Sequence, residues 1–426
     1  MQAALTRMRS SSFLRQGVLV FAGSTFLNAA GFVYHMIASR TLGPAEYGTL
    51  YALIAALGIA SGPIVVAIPV ISRFAAEFAA RGDRAHLRGL AVGLGRTCVV
   101  LLLAVTIAAA AAAVPIGAFL HAPAWAIPAT AVLLVAIFAG SAYRAFVQGL
   151  LDFEGYALST VIEGVAKLIA TVAFATIGWR LFGALGGFIA GSAVGAGIAL
   201  QRVFVRTMRS PEAPVRYDWR RIAHATAGSA ALAVSASLFG KIDVVIVKHA
   251  FDATQAGIYS AAALGGSILL FGVGFVPAVL LPQAADRHTR GEATAGVLMA
   301  SCGVLLAFGA ACLAVFAFFG PLLLRVLVGP QYAAADGLLV WYGVAMLFVA
   351  LITALGSYGI AVHRLAFGWA VVLGSVLTWI AIASYHPTLD AVVRVLAAGA
   401  ALTAVATAAS IGVESARAPR RPAGPA

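Results

Sequence analysis

Charged residues are scarce in this sequence. Lys, Arg, Asp and Glu make up 10% of its 426 residues, and hydrophobic residues make up 62%. A soluble globular domain has about 25% charged residues, so there is too little polar surface here to cover a water-facing fold. The scarcity of charge excludes a set of soluble domains and predicts an all-α polytopic membrane protein.

Cysteine is scarce as well. Cys98, Cys302 and Cys312 all lie in apolar stretches, and no two of them have CxxC spacing, so the sequence supports neither a disulfide framework nor a zinc site. His35, His249 and the other histidines are scattered without paired spacing, and we interpret them as ordinary loop or interface residues. No cofactor is predicted, and no coupling ion is assigned.

Acidic residues are few relative to basic ones. The chain has 15 Asp and Glu against 28 Lys and Arg, a formal net charge of +13 at pH 7. No basic face with interleaved aromatic residues accompanies this charge, so we predict no nucleic acid partner. The arginines fall mostly in short loops between apolar runs, where positive charge marks the cytoplasmic side of a membrane protein.

Apolar runs long enough to cross a bilayer recur along the whole chain. A spanning helix needs about 20 mostly apolar residues, and the sequence predicts twelve such spans. They are 16–39, 47–72, 90–113, 125–149, 156–178, 181–203, 223–249, 255–281, 295–318, 334–360, 366–384 and 391–413. The first is read as an uncleaved span rather than a signal peptide. The glycines of 183–197 predict close packing between helices, because small residues let spans approach each other.

Arginine-rich loops alternate with loops that hold few basic residues, namely Arg40, Arg180, Lys248 and Arg325. This alternation predicts a multi-pass protein of the cell inner (cytoplasmic) membrane with both termini in the cytoplasm. The longest basic loop follows the sixth span and divides the chain in two. The predicted parts are an N-lobe (1–203), a basic cytoplasmic linker (204–222), a C-lobe (223–413) and a disordered cytoplasmic tail (414–426).

An internal repeat relates the two lobes. A shift of 209 residues places Gly48 on Gly257, and without a gap it places the Arg-Gly-Asp turn at 81–83 on the Arg-Gly-Glu turn at 290–292. Each copy reads as a helix, a tight outer turn, a second helix and a cytoplasmic turn. Since six spans per copy is an even number, we expect a parallel repeat with a pseudo-two-fold axis along the membrane normal.

Two segments carry a resemblance to a known family. ASRTLGPAEYGTLYALIA, at 38–55, follows the first span, and GKIDVVIVKHAFDATQAGIYSAA, at 240–262, holds the intramembrane Asp243. Both resemble segments of the Wzx-type polysaccharide flippases, in the multidrug/oligosaccharidyl-lipid/polysaccharide exporter superfamily. The relatives that flip the peptidoglycan precursor usually carry two additional helices, which this chain lacks.

The resemblance implies two helical lobes that form a V around a cavity. It also implies alternating access, in which an isoprenoid-pyrophosphate-linked oligosaccharide moves from the cytoplasmic to the outer leaflet for surface or exopolysaccharide synthesis. The implied partners are this lipid-linked oligosaccharide and membrane lipids, together with a polysaccharide polymerase and glycosyltransferases.

Glu163 and Lys167 lie near the middle of the fifth span. An ionisable side chain at the centre of a bilayer costs about 2.5 to 3.5 kcal/mol and normally faces an interior or a cavity. Four residues apart, the two share one helical face. One interpretation is a self-neutralising pair that lowers the cost of insertion. The other is a ligand site, in which Lys167 meets a phosphate and Glu163 holds the ammonium when the site is empty.

Four charged residues are added to Glu163 and Lys167 in the predicted substrate-binding group. Lys241 and Asp243, in the seventh span, point to different helical faces, so each is expected to have a partner elsewhere. Arg73 and Arg144, near the cytoplasmic ends of spans two and four, form a basic mouth for a diphosphate, which guanidinium groups bind well. The alternative is that these arginines reach the interface as snorkelling side chains. We expect Lys167 and Lys241 to face the space between the lobes.

Asn28 is the amide near the middle of the first span, and we add it to the substrate-binding group. The cation-coupled multidrug members of the resembled superfamily are expected to carry an acidic residue in that helix. None is present here, which counts against multidrug antiport.

Three functions remain at this point. A lipid-linked oligosaccharide flippase fits the pattern best, and a cation-coupled multidrug or small-solute antiporter of the same fold is the first alternative. The second alternative is a membrane-embedded glycosyltransferase or polymerase, which would need catalytic carboxylates or arginines in a large outer loop. The outer loops here are short and none pairs two acids, so we predict no enzymatic activity.

Overall fold

The structure, a computed structural model, describes residues 2–207, 213, 215 and 238–417, and its regular elements are helices. The first group comprises α1 (Gln2–Ala60), α2 (Gly62–Ala80), α3 (Arg84–Ala111), α4 (Ala113–Phe119), α5 (Ala126–Gly149), α6 (Phe153–Thr176) and α7 (Arg180–Thr207). The second comprises α8 (Ile242–Ala250), α9 (Ala253–Gly272), α10 (Phe275–Thr289), α11 (Ala295–Leu327), a 3-10 helix (Pro330–Ala335), α12 (Asp336–Ala361), α13 (Phe367–Ser384) and α14 (Leu389–Arg417). The all-helical prediction is confirmed.

The chain divides into two compact units, residues 1–230 (the N-unit) and 231–426 (the C-unit). Among the described residues, 10 helical segments are long and apolar enough to cross a membrane. The 45-residue segment Gln16–Ala60 contains the first predicted span and the start of the second. The predicted seventh span, 223–249, is described only from residue 238 onward. The described segments therefore agree with about twelve spans.

The break inside α1 lies at Gly43, which has φ 71° and ψ 173°. A residue with a Cβ is strained at this positive φ, whereas glycine is not. Pro44 follows, in the first turn of the next helical segment, where a missing N–H is tolerated. The tight turn predicted at this point is confirmed. The second span is longer than predicted, because α2 continues the helix to Ala80 after an interruption at Ser61.

The turn that ends α2 is repeated in the C-unit. Gly82 has φ 68° and Gly291, 209 residues later, has φ 74°. The preceding arginines end their helices in the same way, and both form an ion pair with the acid four residues earlier. Arg81 lies 2.7 Å from Glu77, and Arg290 lies 2.9 Å from Asp286. The local part of the predicted repeat is thus present in both units.

The outer turn of the repeat is built differently in its two copies. At the position that corresponds to Gly43, the C-unit has Asp252 with a φ of −63°. Its carboxylate accepts hydrogen bonds from the backbone N–H groups of Thr254 and Gln255, both at 2.9 Å. In the C-unit, the Asp252 side chain therefore caps the start of α9. In the N-unit, the corresponding helical segment starts instead after the break at Gly43.

Two predicted boundaries shift in the structure. Helix α7 continues to Thr207, past the predicted start of the linker at 204, and α14 continues to Arg417, past the predicted start of the tail at 414. The rest of the linker and tail lie outside the described residues, apart from Ala213 and Val215. The backbone N–H of Val215 donates to the carbonyl of Ala85 in α3 at 3.2 Å.

Candidate functional site

Glycines of α7 place α6 in the N-unit. Three of them, spaced four residues apart, lie directly against α6, and an added Cβ at each would come within 2.6 Å of a facing side-chain atom. The facing pairs are Gly187 with Thr171, Gly191 with Lys167 and Gly195 with Glu163. The close packing predicted from the glycine-rich segment is confirmed. This packing places Glu163 beside Gly195 and Lys167 beside Gly191.

Glu163 is bound by Arg144 rather than by Lys167. Arg144 Nη1, on α5, donates to Glu163 Oε2, and the two side chains are 10% and 6% exposed. Ser192 Oγ, on α7, donates to Glu163 Oε1 at 3.4 Å. Both carboxylate oxygens are therefore occupied. The predicted pairing of Glu163 with Lys167 is wrong, because the α5 guanidinium reaches the carboxylate from the neighbouring helix.

Lys167 is buried beside this ion pair, with 4% of its surface exposed. Its Nζ lies 4.0 Å from the centroid of the Phe188 ring, in a cation–π contact. No carboxylate forms an ion pair with it among the described residues. The cluster of Arg144, Glu163 and Lys167 (the cationic cluster) therefore holds two cations and one anion within the apolar part of the N-unit.

An aromatic group adjoins the cationic cluster, and sequence reasoning missed it. The rings of Tyr34 and Phe188 are 5.1 Å apart, and His35 lies 5.2 Å from Tyr34. His35 Nδ1 is 3.3 Å from the hydroxyl of Tyr47, and its ring also contacts Tyr51. His35 and Tyr51 lie at equal distances along the chain from Gly43. A tight turn at Gly43 brings them together, so the predicted turn could have indicated this contact. The interpretation of His35 as an ordinary loop or interface residue stays a prediction.

In the C-unit, Asp243 is fully buried and bound by tyrosines. The hydroxyls of Tyr259 on α9 and Tyr342 on α12 donate to Asp243 Oδ2 at 2.8 and 3.0 Å. Lys241 is half-buried and forms no ion pair with Asp243, as predicted. The expected partner of Asp243 elsewhere in the fold is thus a pair of neutral hydroxyls. Lys248, which we assigned to an outer loop, is instead buried on α8.

Two further predicted site residues are exposed. Asn28 on α1 and Arg73 on α2 are exposed, and neither side chain forms a hydrogen bond or ion pair with another described residue. The structure joins Arg144 to Glu163 and brings Lys167 beside them. The grouping of Arg144 with Arg73 as a cytoplasmic mouth stays a prediction. Within the described residues, no three His, Cys, Asp or Glu side chains form a metal-binding group.

Comparison with sequence families shows the family of this chain. A family model described as polysaccharide biosynthesis protein matches residues 14–287, more than half of the chain. Uncharacterised proteins of Mycobacterium tuberculosis, from strains CDC 1551 and H37Rv, are 26% identical over 219 residues. The aligned part covers 50% of this chain and 50% of each relative, so the chain spans about half the length of the curated relatives it matches.

Comparison with solved structures identifies the fold. The lipid II flippase MurJ, in an inward closed conformation, has a TM-score of 0.72 at 13% identity, covering 93% of this chain and 87% of that one. An inward-facing multidrug resistance MATE transporter of the MOP superfamily has a TM-score of 0.70 at 14% identity, covering 92% and 96%. A mutant of the Vibrio cholerae MATE transporter VcmN has a TM-score of 0.62 at 16% identity, covering 96% and 98%. The chain is a multi-pass membrane protein with this two-lobe transporter fold.

Proposed function

We propose, since this chain belongs to the polysaccharide biosynthesis protein family, that it moves an isoprenoid-pyrophosphate-linked oligosaccharide across the cytoplasmic membrane. At the coarser level, the family and the fold support a membrane flippase or transporter. The identity of the ligand is our proposal. The observation that carries it is the excess positive charge of the cationic cluster.

An unbalanced cation inside an apolar helical unit is costly. Moving a single ion from water into a protein interior costs roughly several kcal/mol, even after the protein relaxes. The cation–π contact with the Phe188 ring offsets only part of this cost for Lys167. A ligand that brings negative charge to Lys167 would remove this cost. A pyrophosphate supplies that charge, and it cannot be solvated by the bilayer interior on its own.

The cluster assigns different roles to its three members. Glu163 neutralises Arg144 in the structure, so the ammonium of Lys167 is the group available to a phosphate oxygen. When the phosphate arrives, Arg144 can exchange part of its bonding from Glu163 to the ligand, because a guanidinium has several donors in one plane. The ligand would thereby stabilise one conformer of the transporter relative to the other and shift the population between them.

In the C-unit, we propose that Lys241 supplies a second cation to the ligand. It is half-buried and has no ion-pair partner among the described residues. Arg73 and Asn28, both exposed, remain proposed contacts along the path of the ligand. The glycosyltransferases and the polymerase that would make and extend the oligosaccharide are proposed partners of the same kind.

Export in cells tests this proposal. Lys167→Ala and Lys241→Ala should each abolish polysaccharide export in a strain that depends on this protein, with its abundance in the membrane unchanged. Lys167→Arg should retain part of the export, because it keeps the charge. Arg290→Ala is the matched control, since it removes an exposed cation at the turn after α10 and should export normally. Normal export by both lysine variants would exclude the cationic mechanism.

A multidrug antiporter of the same fold is the alternative, and it is favoured by the fold shared with MATE transporters. The same strains distinguish the two functions. If the protein exports drugs, its deletion should raise drug sensitivity and leave the surface polysaccharide intact. The proposed function requires the opposite pattern.

A further inference from the structure

An apolar groove runs between α13 and α14 in the C-unit. It has a volume of about 510 Å³ and is lined by residues 370–381 of α13 and 395–406 of α14. Three of the lining leucines, Leu373, Leu377 and Leu402, are 57%, 64% and 72% exposed. Both helices are long and apolar enough to cross a membrane. The groove therefore opens to the lipid that surrounds the two helices.

Glycines bring α13 and α14 into close contact at this groove. A Cβ added at Gly374 would overlap the Thr403 side chain, and one added at Gly399 would overlap the Thr378 side chain. The hydroxyls of Thr378 and Thr403 donate to carbonyls of their own helices, each at 2.7 Å. Both hydroxyl donors are thus used within the helices, and the rest of the lining is aliphatic. The groove is suited to a hydrocarbon chain rather than to a polar ligand.

A cation lies at the end of these helices that we predict to be cytoplasmic. Arg364 precedes α13, and its Nη1 donates to the carbonyl of Ile411 on α14 at 3.3 Å. This long hydrogen bond uses one of the five guanidinium donors. Among the described residues, no acid forms an ion pair with Arg364. Ile411 follows Ala406, the last groove residue of α14, by five positions, which is roughly 7.5 Å along the helix.

An exposed tryptophan stands between the cation and the groove along the chain. Trp369, in the first turn of α13, is 73% exposed, and tryptophans at membrane interfaces lie at the level of the lipid head groups. Cation, aromatic ring and apolar groove therefore follow one another in the order in which a phospholipid presents its phosphate, its interface and its acyl chain.

This order and the charge identify the ligand. Basic pockets at the cytoplasmic ends of spans bind anionic lipid head groups. One guanidinium balances the single negative charge of a phosphodiester, whereas a pyrophosphate carries more. We propose that the α13–α14 groove and Arg364 bind an anionic phospholipid of the cytoplasmic leaflet, with an acyl chain in the groove and the phosphate at Arg364. Such a lipid would be a resident component of the protein and not its cargo.

Photo-cross-linking of the purified full-length protein tests the head-group end. Phosphatidylglycerol or phosphatidylcholine, each with a diazirine on one acyl chain, is added to the protein in detergent, and mass spectrometry of the digest locates the label. Phosphatidylglycerol should label the groove more than phosphatidylcholine does. Arg364→Gln should lower the phosphatidylglycerol label about fivefold, the effect of one cation on an anionic lipid, and leave the phosphatidylcholine label unchanged. Arg394→Gln, which removes an exposed cation at the other end of α14, is the matched control and should keep the full label.

Ala398→Phe tests the groove itself. Ala398 is exposed and lines the groove, so a phenyl ring there occupies the space of the acyl chain without entering the core. The variant should lose the groove label from both lipids. Ala408→Phe is the matched control, because Ala408 is exposed on the same helix outside the lining of the groove. It should be labelled like the wild type.

Three results would overturn the proposal. Equal groove labelling of the wild type by the two lipids would mean that the head group is not recognised. Displacement of phosphatidylglycerol by an equimolar isoprenoid pyrophosphate would assign the groove to a transported lipid. A dimer in native mass spectra that Ala398→Phe converts to a monomer would assign the groove to a second copy of the chain. The measurements require no transport, so failure of the proposed function would not change their result.

Discussion

The two units differ in the groups that hold a buried carboxylate. In the N-unit, Arg144 forms an ion pair with Glu163, and the buried Lys167 lies beside this pair. In the C-unit, two tyrosine hydroxyls donate to Asp243. The flippase function proposed above depends on the first arrangement. The two units therefore hold their buried carboxylates differently, although the glycine turns at 81–83 and 290–292 recur in both.

The Arg144–Glu163 ion pair gives a prediction at the residue scale. Glu163→Gln leaves two cations without a counter-ion, and breaking a buried pair in this way costs about 3 to 5 kcal/mol. The Tm and the abundance of the variant should both fall. The double variant Arg144→Met with Glu163→Gln removes both charges, so its Tm should lie above that of Glu163→Gln. A double variant less stable than Glu163→Gln would mean that the pair is not the source of the loss.

The close contact of α6 with α7 is the main feature at the scale of elements. It depends on glycines that recur at every fourth residue of α7, a pattern that can be read from the sequence. The turns at 81–83 and 290–292 were also predictable, because a positive-φ glycine between a helical arginine and an acidic residue is a local sequence signal. The pairing of Glu163 with Arg144 was not, since it depends on which helix lies beside α6. The spacing of four residues along the helix favoured Lys167 as the partner of Glu163.

Two glycines of α7 test this packing. Gly191→Ala places a Cβ 2.7 Å from the Cα of Lys167, so the helices must separate, and the variant should lose about 1 to 3 kcal/mol of stability. Gly197→Ala is the control on the same helix, because its added Cβ has nothing within 4 Å. It should be neutral or gain about 0.5 to 1 kcal/mol from helix propensity. Equal Tm values for the two variants would contradict the packing described for α6.

At the scale of the whole molecule, the helical character and the number of spans followed from composition, and the long apolar segments confirm them. The length of the second span did not follow, because α2 continues past the apolar run to include Arg73 and Glu77. Hydropathy marks where a helix is apolar and not where it ends. The burial of Lys248 was missed for the same reason, since its position near the end of an apolar run suggested a loop.

Membrane topology gives a prediction at this scale. Reporter fusions at Pro123 and Pro387 should be external, and a fusion at Gly155 should be internal, because arginine-rich loops remain in the cytoplasm. The corresponding fusion at Pro214 lies outside the described residues and is also expected to be internal. Activity of alkaline phosphatase and fluorescence of a cytoplasmic reporter measure the two sides. An inverted result at any site would remove the basis for two parallel lobes.

Reconstitution into liposomes tests the central claim most directly. Purified protein is inserted into vesicles with a fluorescent isoprenoid-pyrophosphate-linked oligosaccharide, and a membrane-impermeant quencher reports the fraction of label that reaches the outer leaflet. The wild type should move the label faster than protein-free vesicles do. Lys167→Ala should be slower than the wild type by about tenfold or more, since a bond to a charged group contributes about 1.5 to 3 kcal/mol. Movement by Lys167→Ala at the wild-type rate, or no movement by the wild type under a sodium or proton gradient, would contradict the account.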